Sequence, residues 1–322
     1  MKIAKGIRTA YNLAKGAYEK LSAEVCAKLE PEVKSKGWFF IHRLKEQESF
    51  ALKIETGRVD DPQRMEDFFA CTIVVPTVAH VSEAERFLET IYQVERRRPP
   101  HDETTHKKAS DFVFDDLRLY LKRGASETGR NDDLEGLVFE VQIKTILQYA
   151  WGIASHDLIY KTDNVSWPKE RIAFQIKAML EHAEIVIAEA EGLADSPSIS
   201  KKDQDTADTL EIIGVLRGFW AADRLPRDIK RLAESIRGVL KTCDVQGDQL
   251  NTLLTKERSR IGVLPANLSP YAFLIQALAY SRELDFQAKI TNGRNRRTKI
   301  LVHDDMDLPV WMREPNEKII RV

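Results

Sequence analysis

The apolar positions in the first 195 residues switch between a helical period and a strand period. Ile7, Tyr11, Ala14 and Leu21 recur at helical spacing, which predicts a long amphipathic helix over residues 5–35. Gly57 is a stop signal that ends a second predicted helix. Further helices are predicted at 46–55, 83–92, 146–160 and 169–193.

Three short runs have the composition of strands. Residues 68–75 (FFACTIVV) form a continuous run of apolar and β-branched residues that is closed by Pro76. Such a run is typical of a buried strand. Residues 117–123 and 137–145 alternate apolar with polar positions and flank a turn, so we expect them to pair as an antiparallel hairpin. The pattern therefore predicts an α/β (α+β) domain with a mixed β-sheet.

The second part of the chain has a different pattern. Residues 194–208 are polar, show no apolar periodicity and are predicted to be a linker. Beyond them, helical patterns recur at 209–221, 227–242, 246–255 and 270–284, and a short strand is expected within 298–304. The predicted organisation is one domain at 1–197, followed by a mainly helical accessory or regulatory domain at 198–322.

The composition narrows the class of protein. The 49 Lys and Arg residues nearly cancel the 50 Asp and Glu residues, so the net charge does not support a non-specific nucleic-acid binder, although it leaves room for a local basic cleft. The three cysteines are far apart and form no CxxC pair, which fits a cytoplasmic protein. The apolar runs are too short for a membrane span and the start lacks a signal-peptide pattern, so no membrane partner is expected.

Two acidic residues stand at strand positions. Asp67 directly precedes the strand at 68–75, and Glu140 lies inside the strand at 137–145. An acid in an apolar strand costs desolvation free energy unless it has a partner or a cation. If the two strands are neighbours, Asp67 and Glu140 are expected to meet and to hold a divalent metal ion. The alternative is that Glu140 lies on a solvated face and that Asp67 is a cap.

A basic segment precedes these acids and contains Arg43, Lys45, Lys53 and Arg58. The guanidinium fork of arginine and the mobile ammonium group of lysine both suit phosphate oxygens. On one helix, Lys45 and Lys53 would share a face and would be able to line a triphosphate. The alternative is an ordinary charged helix surface.

The predicted helix at 146–160 contains a third group of candidate residues. Trp151, His156 and Tyr160 lie in it, and Lys161 follows. A single histidine without a second ligand at metal spacing is more often structural than a ligand. The sequence has no GxxxxGK[ST] or GxGxxG motif, which excludes a P-loop and a Rossmann dinucleotide site.

These three segments follow one another as they do in the RelA/SpoT synthetase family. EVQIKTILQYAWGIASHDLIYK (140–161) resembles that family's E-x-Q-I-R-T strand and its following helix with A-W and H-D-x-x-Y-K. HRLKEQESFALK (42–53) resembles its S-R-x-K segment, and MEDFFACTIVV (65–75) resembles its D-L-x-G-x-R-I strand. The resemblance runs from about residue 40 to 191 and implies a nucleotidyltransferase-like fold with a mixed sheet flanked by helices.

The resemblance implies a pyrophosphokinase that transfers the β,γ-pyrophosphate of ATP to the 3′-hydroxyl of GDP or GTP and releases AMP. Asp67 and Glu140 would be the catalytic residues that bind Mg²⁺, and Glu140 would also help to deprotonate the attacking hydroxyl. The phosphates of ATP would contact Arg43, Lys45 and Lys53. The acceptor side would be formed by Phe114, Gln142, Lys144, His156 and Lys161.

The resemblance is weakest on the acceptor side. Thr72 stands where the family's strand has an arginine. Phe114, Asp116 and Arg118 stand at the Tyr, Ser and His positions of its acceptor motif, G-Y-x-S-x-H. The ring of Phe114 still permits base stacking, whereas the changed polar groups leave the choice of a guanine acceptor open.

Three functions are therefore kept open. The first is a small alarmone synthetase that makes ppGpp or pppGpp in the stringent response. The second is a toxin-type enzyme of a toxin–antitoxin pair that modifies the 3′ end of tRNA or another nucleotide acceptor, with residues 198–322 as inhibitor or sensor. The third is a catalytically inactive, nucleotide-binding regulatory module. The sequence does not settle the oligomeric state, and a homo-oligomer stays an alternative.

Overall fold

The computed structural model describes residues 2–59, 61–62, 65–100, 108, 116–124, 134–155, 166–281, 284–291, 299–313 and 317–322. The chain divides into two compact units, Met1–Ile199 and Ser200–Val322. Within the described ranges, no helix combines the length and the apolar character needed to cross a membrane.

The first unit is built on a five-stranded mixed sheet. Its helices are α1 (Lys5–Ser35), α2 (Gln47–Glu55), α3 (Ala79–Glu89), α4 (Ile146–Ser155), α5 (Trp167–Ala188) and α6 (Ala190–Ala194). Its strands are β1 (Phe39–Leu44), β2 (Phe69–Val75), β3 (Tyr92–Arg98), β4 (Leu117–Arg123) and β5 (Phe139–Thr145). The strand order is β1-β2-β5-β4-β3, in which β2 and β5 are parallel and the other neighbours are antiparallel. The predicted mixed fold and the predicted β4–β5 pairing are confirmed.

One face of this sheet is apolar and carries the core of the first unit. Phe69 and Ile73 of β2 and Phe139 of β5 are fully buried in it. Leu21 of α1 and Leu88 of α3 belong to the same cluster, so these two helices cover this face. Because successive residues of a strand point to opposite sides, the alternate residues of the same strands lie on the other face.

An aromatic contact anchors the turn before β2. The ring of Phe68 stacks on Tyr18 of α1 with 4.7 Å between centroids. The Tyr18 hydroxyl lies 3.2 Å from the carbonyl oxygen of Met65 and 3.4 Å from that of Val138, and it is the donor in both contacts. These bonds tie the segments that lead into β2 and β5 to one helix. They thereby fix the backbone on which Asp67 lies.

Some predicted boundaries in the first unit are wrong. The helix predicted at 83–92 begins four residues earlier, at Ala79. That helix ends at Glu89, because the buried Tyr92 starts β3. Strands β1 and β3 were not predicted. Each is an edge strand whose side chains are largely exposed, and neither β1 (FFIHRL) nor β3 (YQVERRR) alternates apolar with polar residues over its whole length.

The second unit is mainly helical, as predicted. Its helices are α7 (Gln204–Phe219), α8 (Ile229–Thr242), α9 (Gly247–Ile261), α10 (Pro270–Tyr280), α11 (Phe286–Thr291) and α12 (Val310–Arg313). Strands β6 (Ile300–Val302) and β7 (Ile319–Arg321) form a parallel pair. The linker predicted at 194–208 is wrong in its last part, because the Asp203 side chain accepts the Thr206 N–H and caps α7.

A buried acid, Glu257 of α9, is paired by a network within the second unit. Its carboxylate accepts hydrogen bonds from Arg260 at 2.6 and 2.8 Å and from the Gln276 amide at 2.7 Å. Arg260 also donates to the Asp307 carboxylate at 2.8 Å, and the Asp307 N–H donates to Gln276 at 2.9 Å. The network therefore joins α9, α10 and the segment before α12.

We predict that Tyr18→Phe reduces the loss of stability at alkaline pH. Burial, with a further contribution from the charge of Asp67, raises the pKa of Tyr18 to about 12, whereas an unfolded tyrosine titrates near pH ~10. A raised pKa in the folded state contributes stability below pH ~10 that is lost as the pH rises towards ~12. Urea unfolding across this range measures the effect. A free-energy difference between wild type and variant that is independent of pH would contradict it.

We predict that Arg260→Ala destabilises the second unit by about 2–3 kcal/mol, because Glu257 stays buried with fewer donors. Hydrogen exchange of peptides from α9 and α10 in the full chain measures this unit separately. Arg321→Ala is the matched control, since it removes an exposed ion pair with Asp304 and should cost less than about 1 kcal/mol. Equal effects of the two variants would show that burial of Glu257 does not decide the cost.

Candidate functional site

The side chains of the second sheet face lie in rows that follow the strand register. One row crosses all five strands and consists of Arg43, Ala70, Glu140, Tyr120 and Arg96. The next row consists of Ile41, Thr72, Gln142, Arg118 and Arg98. Paired residues point to the same side of a sheet, so both rows lie opposite the apolar core. We call this surface the polar face.

Asp67 lies in the turn before β2 and is held by two lysines. Its Oδ2 atom accepts hydrogen bonds from Lys45 Nζ at 2.7 Å and from Lys53 Nζ at 2.9 Å. Burial by itself would raise the pKa of Asp67, but the hydrogen bonds and charges of the two lysines outweigh it and lower the pKa. The carboxylate is therefore ionised in the folded protein. Its pairing with lysines shows that Asp67 is not a helix cap.

The two lysines reach Asp67 from different elements. The prediction that they share a helix face is wrong, because α2 begins at Gln47 and Lys45 belongs to the turn after β1. The Lys45 N–H donates to the carbonyl oxygen of Phe68 at 2.7 Å, which extends the contact between β1 and β2. This bond, rather than helical spacing, places Lys45 beside Asp67.

Glu140 is buried on the polar face with 5% of its surface exposed, so the alternative of a solvated strand face is wrong. The Gln142 amide donates to its Oε1 atom, and Arg118 lies 4.0 Å from its Oε2 atom. Burial is the largest cause that raises the pKa of Tyr120, and the charge of Glu140 and a hydrogen bond to it add to the effect. Tyr120 therefore remains a protonated donor next to Glu140.

Asp116 directly precedes β4, and its carboxylate pairs with one basic residue of β4 and one of β5. Arg118 donates to its Oδ1 atom at 3.3 and 3.4 Å, and Lys144 Nζ lies 3.4 Å from its Oδ2 atom. The structure thus brings Lys144 and Gln142, both expected on the acceptor side, onto the polar face beside Glu140. Phe114, His156 and Lys161, the other residues expected there, lie outside the described residues.

The arginines of β3 were missed by the sequence analysis. Arg96 and Arg98 lie on the polar face, whereas Arg97 points to the other face and pairs with Glu85. A bulge between Val94 and Arg96 changes the register of β3 and sets this orientation. The run of three arginines in the sequence was a possible signal, but it gains meaning only once β3 is known to be a strand.

The carboxylates of the site suit a divalent cation only in combination with substrate oxygens. Within the described ranges, no three or more His, Cys, Asp or Glu side chains form a group suited to a metal ion. Asp67 Oδ1 is buried and has no hydrogen-bond partner there. Mg²⁺ commonly takes one or two carboxylates, and phosphates and water complete its shell. The residues present therefore fit Mg²⁺ bound together with a nucleotide.

One segment of the chain, which contains Asp67 and Glu140, matches a family model. A model of the region found in RelA / SpoT proteins matches residues 42–165. No curated protein sequence matches the chain. The solved structures that resemble it include small alarmone synthetase 1 from Bacillus subtilis, at 16% identity and a TM-score of 0.45 over 55% of this chain and 94% of that chain.

A further similar structure is a GTP pyrophosphokinase family protein from Streptococcus pneumoniae. It is 20% identical with a TM-score of 0.42, over 57% of this chain and 92% of that chain. The family match itself spans the sequence from Arg43 through Asp67 and Glu140 to Lys161. Residues 42–165 of this chain are therefore similar to the region found in RelA / SpoT proteins.

Proposed function

We propose that this chain is an ATP-dependent pyrophosphokinase that transfers the β,γ-pyrophosphate of ATP to the 3′-hydroxyl of GDP or GTP. The observation that carries the proposal is the cluster of Asp67, Lys45 and Lys53 next to the strand pair that holds the buried Glu140. This arrangement lies within the segment matched by the RelA/SpoT region. It would supply cations for phosphates, and Asp67 and Glu140 would supply carboxylates for a metal ion.

On the donor side, Arg43, Lys45 and Lys53 would bind the phosphates of ATP. Lys45 and Lys53 both pair with the Asp67 carboxylate. Phosphate oxygens would compete for these ammonium groups, and the Asp67 carboxylate would then be released towards a cation. Exposed Arg43 lies in the same row as Glu140, which suits a group that contacts the transferred pyrophosphate.

Asp67 and Glu140 would hold Mg²⁺ together with the phosphates of ATP. The bound ion would neutralise the charge that develops on the phosphate oxygens during transfer. Gln142 and Tyr120 donate to the Glu140 carboxylate, which would take the proton of the attacking hydroxyl. The transfer depends on alignment and charge more than on covalent chemistry.

The acceptor side would be formed by Gln142, Lys144, Phe114, His156 and Lys161. A toxin-type enzyme that modifies the 3′ end of tRNA is the second candidate, because Asp116 and Arg118 replace polar groups of the acceptor motif and bind each other. In either case we propose that residues 198–322 form an accessory or regulatory domain. A nucleotide-binding module without activity is the third candidate.

The deciding experiment supplies the full chain with labelled ATP, Mg²⁺ and one acceptor at a time: GDP, GTP or deacylated tRNA. Label in a guanine nucleotide with release of AMP supports the alarmone synthetase, and label in RNA supports the toxin-type enzyme. Asp67→Asn and Glu140→Gln are each expected to lower the rate at least about a hundredfold, because each removes a negative charge from the site at which the pyrophosphate would be transferred.

Glu83→Gln is the matched control, because Glu83 is an exposed acid of α3 that pairs with Lys36 at 2.9 Å, away from the polar face. It should keep the wild-type rate. Thermal unfolding of all three variants checks that the fold is retained. Normal turnover by Asp67→Asn would remove Asp67 from the site, and the absence of both transfer and ATP binding would exclude both enzyme candidates.

A further inference from the structure

Near its β3 edge, the polar face has two positively charged side chains directly opposite each other on β3 and β4. Arg98 and Arg118 are cross-strand partners in the sheet. Like charges placed directly opposite each other destabilise a sheet. Arg118 is balanced by Asp116, whereas Arg98 makes no ion pair with any residue in the described part of the chain. This edge therefore has positive charge that the described side chains leave uncompensated.

Arg96, two residues earlier on the same side of β3, is held in a defined position. Its guanidinium lies 3.8 Å from the centroid of the Tyr120 ring, and the ring in turn lies next to Glu140 in the same row. Arg96 also forms an ion pair with Glu66, the residue before Asp67. The side chains of Arg96 and Glu66 are 50% and 40% exposed, so solutes have access to this pair.

The row across the polar face thus has a cation at each end and an acid in the middle. Arg43 lies on one side of Glu140 and Arg96 on the other. Arg43 is on the side of Lys45 and Lys53, which suits the donor. By strand register, Arg96 and Arg98 lie on the opposite edge strand, β3, and the Arg96 side chain reaches from there to Glu66. A second phosphate-bearing molecule would find these two cations at that edge.

We propose that Arg96 and Arg98 form a subsite for the phosphate groups of the acceptor nucleotide, and that Glu66 occupies Arg96 until the acceptor binds. This inference rests on the proposed function, because it assigns one end of that site to the acceptor. The planar guanidinium groups bind phosphate oxygens through charged hydrogen bonds. The Tyr120 ring keeps the Arg96 fork on the polar face, and Glu66 is a competitor that phosphate must displace.

Binding of nucleoside diphosphates to the full chain tests this subsite without any turnover. We would titrate GDP, ADP and the matching nucleosides, guanosine and adenosine, by calorimetry. Arg96→Gln is expected to weaken binding of the preferred diphosphate at least about tenfold, because charged hydrogen bonds to phosphate are lost. Its effect on the nucleoside should be small. Glu66→Gln is expected to strengthen binding of the diphosphate about two- to fivefold, because an exposed competing ion pair is removed.

Glu95→Gln is the matched control for Glu66→Gln. Glu95 pairs with Lys122 on the same two strands, and its side chain is 35% exposed. Removal of this acid should leave both affinities unchanged. If Glu95→Gln strengthened diphosphate binding as much as Glu66→Gln does, the cause would be the general change in charge. That result would overturn the role of Glu66.

Three results would overturn the subsite itself. The first is wild-type affinity of Arg96→Gln for the diphosphate, and the second is an equal loss of nucleoside binding. The third is that neither diphosphate binds the wild-type chain. Failure of the proposed function would look different, since diphosphate would bind through Arg96 while no pyrophosphate is transferred from ATP.

Discussion

The parallel pairing of β2 with β5 is the constraint on which the site depends. It sets Ala70 opposite Glu140 and Thr72 opposite Gln142. Because side chains alternate along a strand, a slip of one residue would turn Glu140 into the aromatic core and Phe139 towards solvent. Burial of Phe139 against its neighbours thus fixes the register. The same packing that stabilises the unit keeps Glu140 on the polar face.

Charge compensation then determines what the site is able to bind. Asp67 and Glu140 are largely removed from water, which costs free energy unless each has partners. Asp67 is compensated by two lysines, whereas Glu140 has the neutral donors Gln142 and Tyr120, with Arg118 at 4.0 Å. Phosphate oxygens would compete with Asp67 for its lysines, whereas they would leave the neutral donors on Glu140. The two acids therefore differ in how they would respond to a nucleotide.

The sequence predicted the central strands well, because β2, β4 and β5 have strong apolar or alternating patterns. It did not predict β1 and β3, since edge strands bury little apolar surface. Lys45 and Lys53 were expected to share a helix face, but Lys45 lies outside the helix and is placed beside Asp67 by a backbone bond to Phe68. Contacts of this kind join segments that are distant in sequence, and local periodicity does not contain them.

The same limit explains why the basic residues of β3 were overlooked. The family pattern has an arginine at the position of Thr72, which lies in the middle of the sheet. In the structure, Thr72 shares its row with Arg118 and Arg98 on the outer strands. Positive charge on this row is therefore carried by β4 and β3 instead of β2. In the two rows of the polar face, β2 has only the small side chains of Ala70 and Thr72, and the cations stand on the strands to either side.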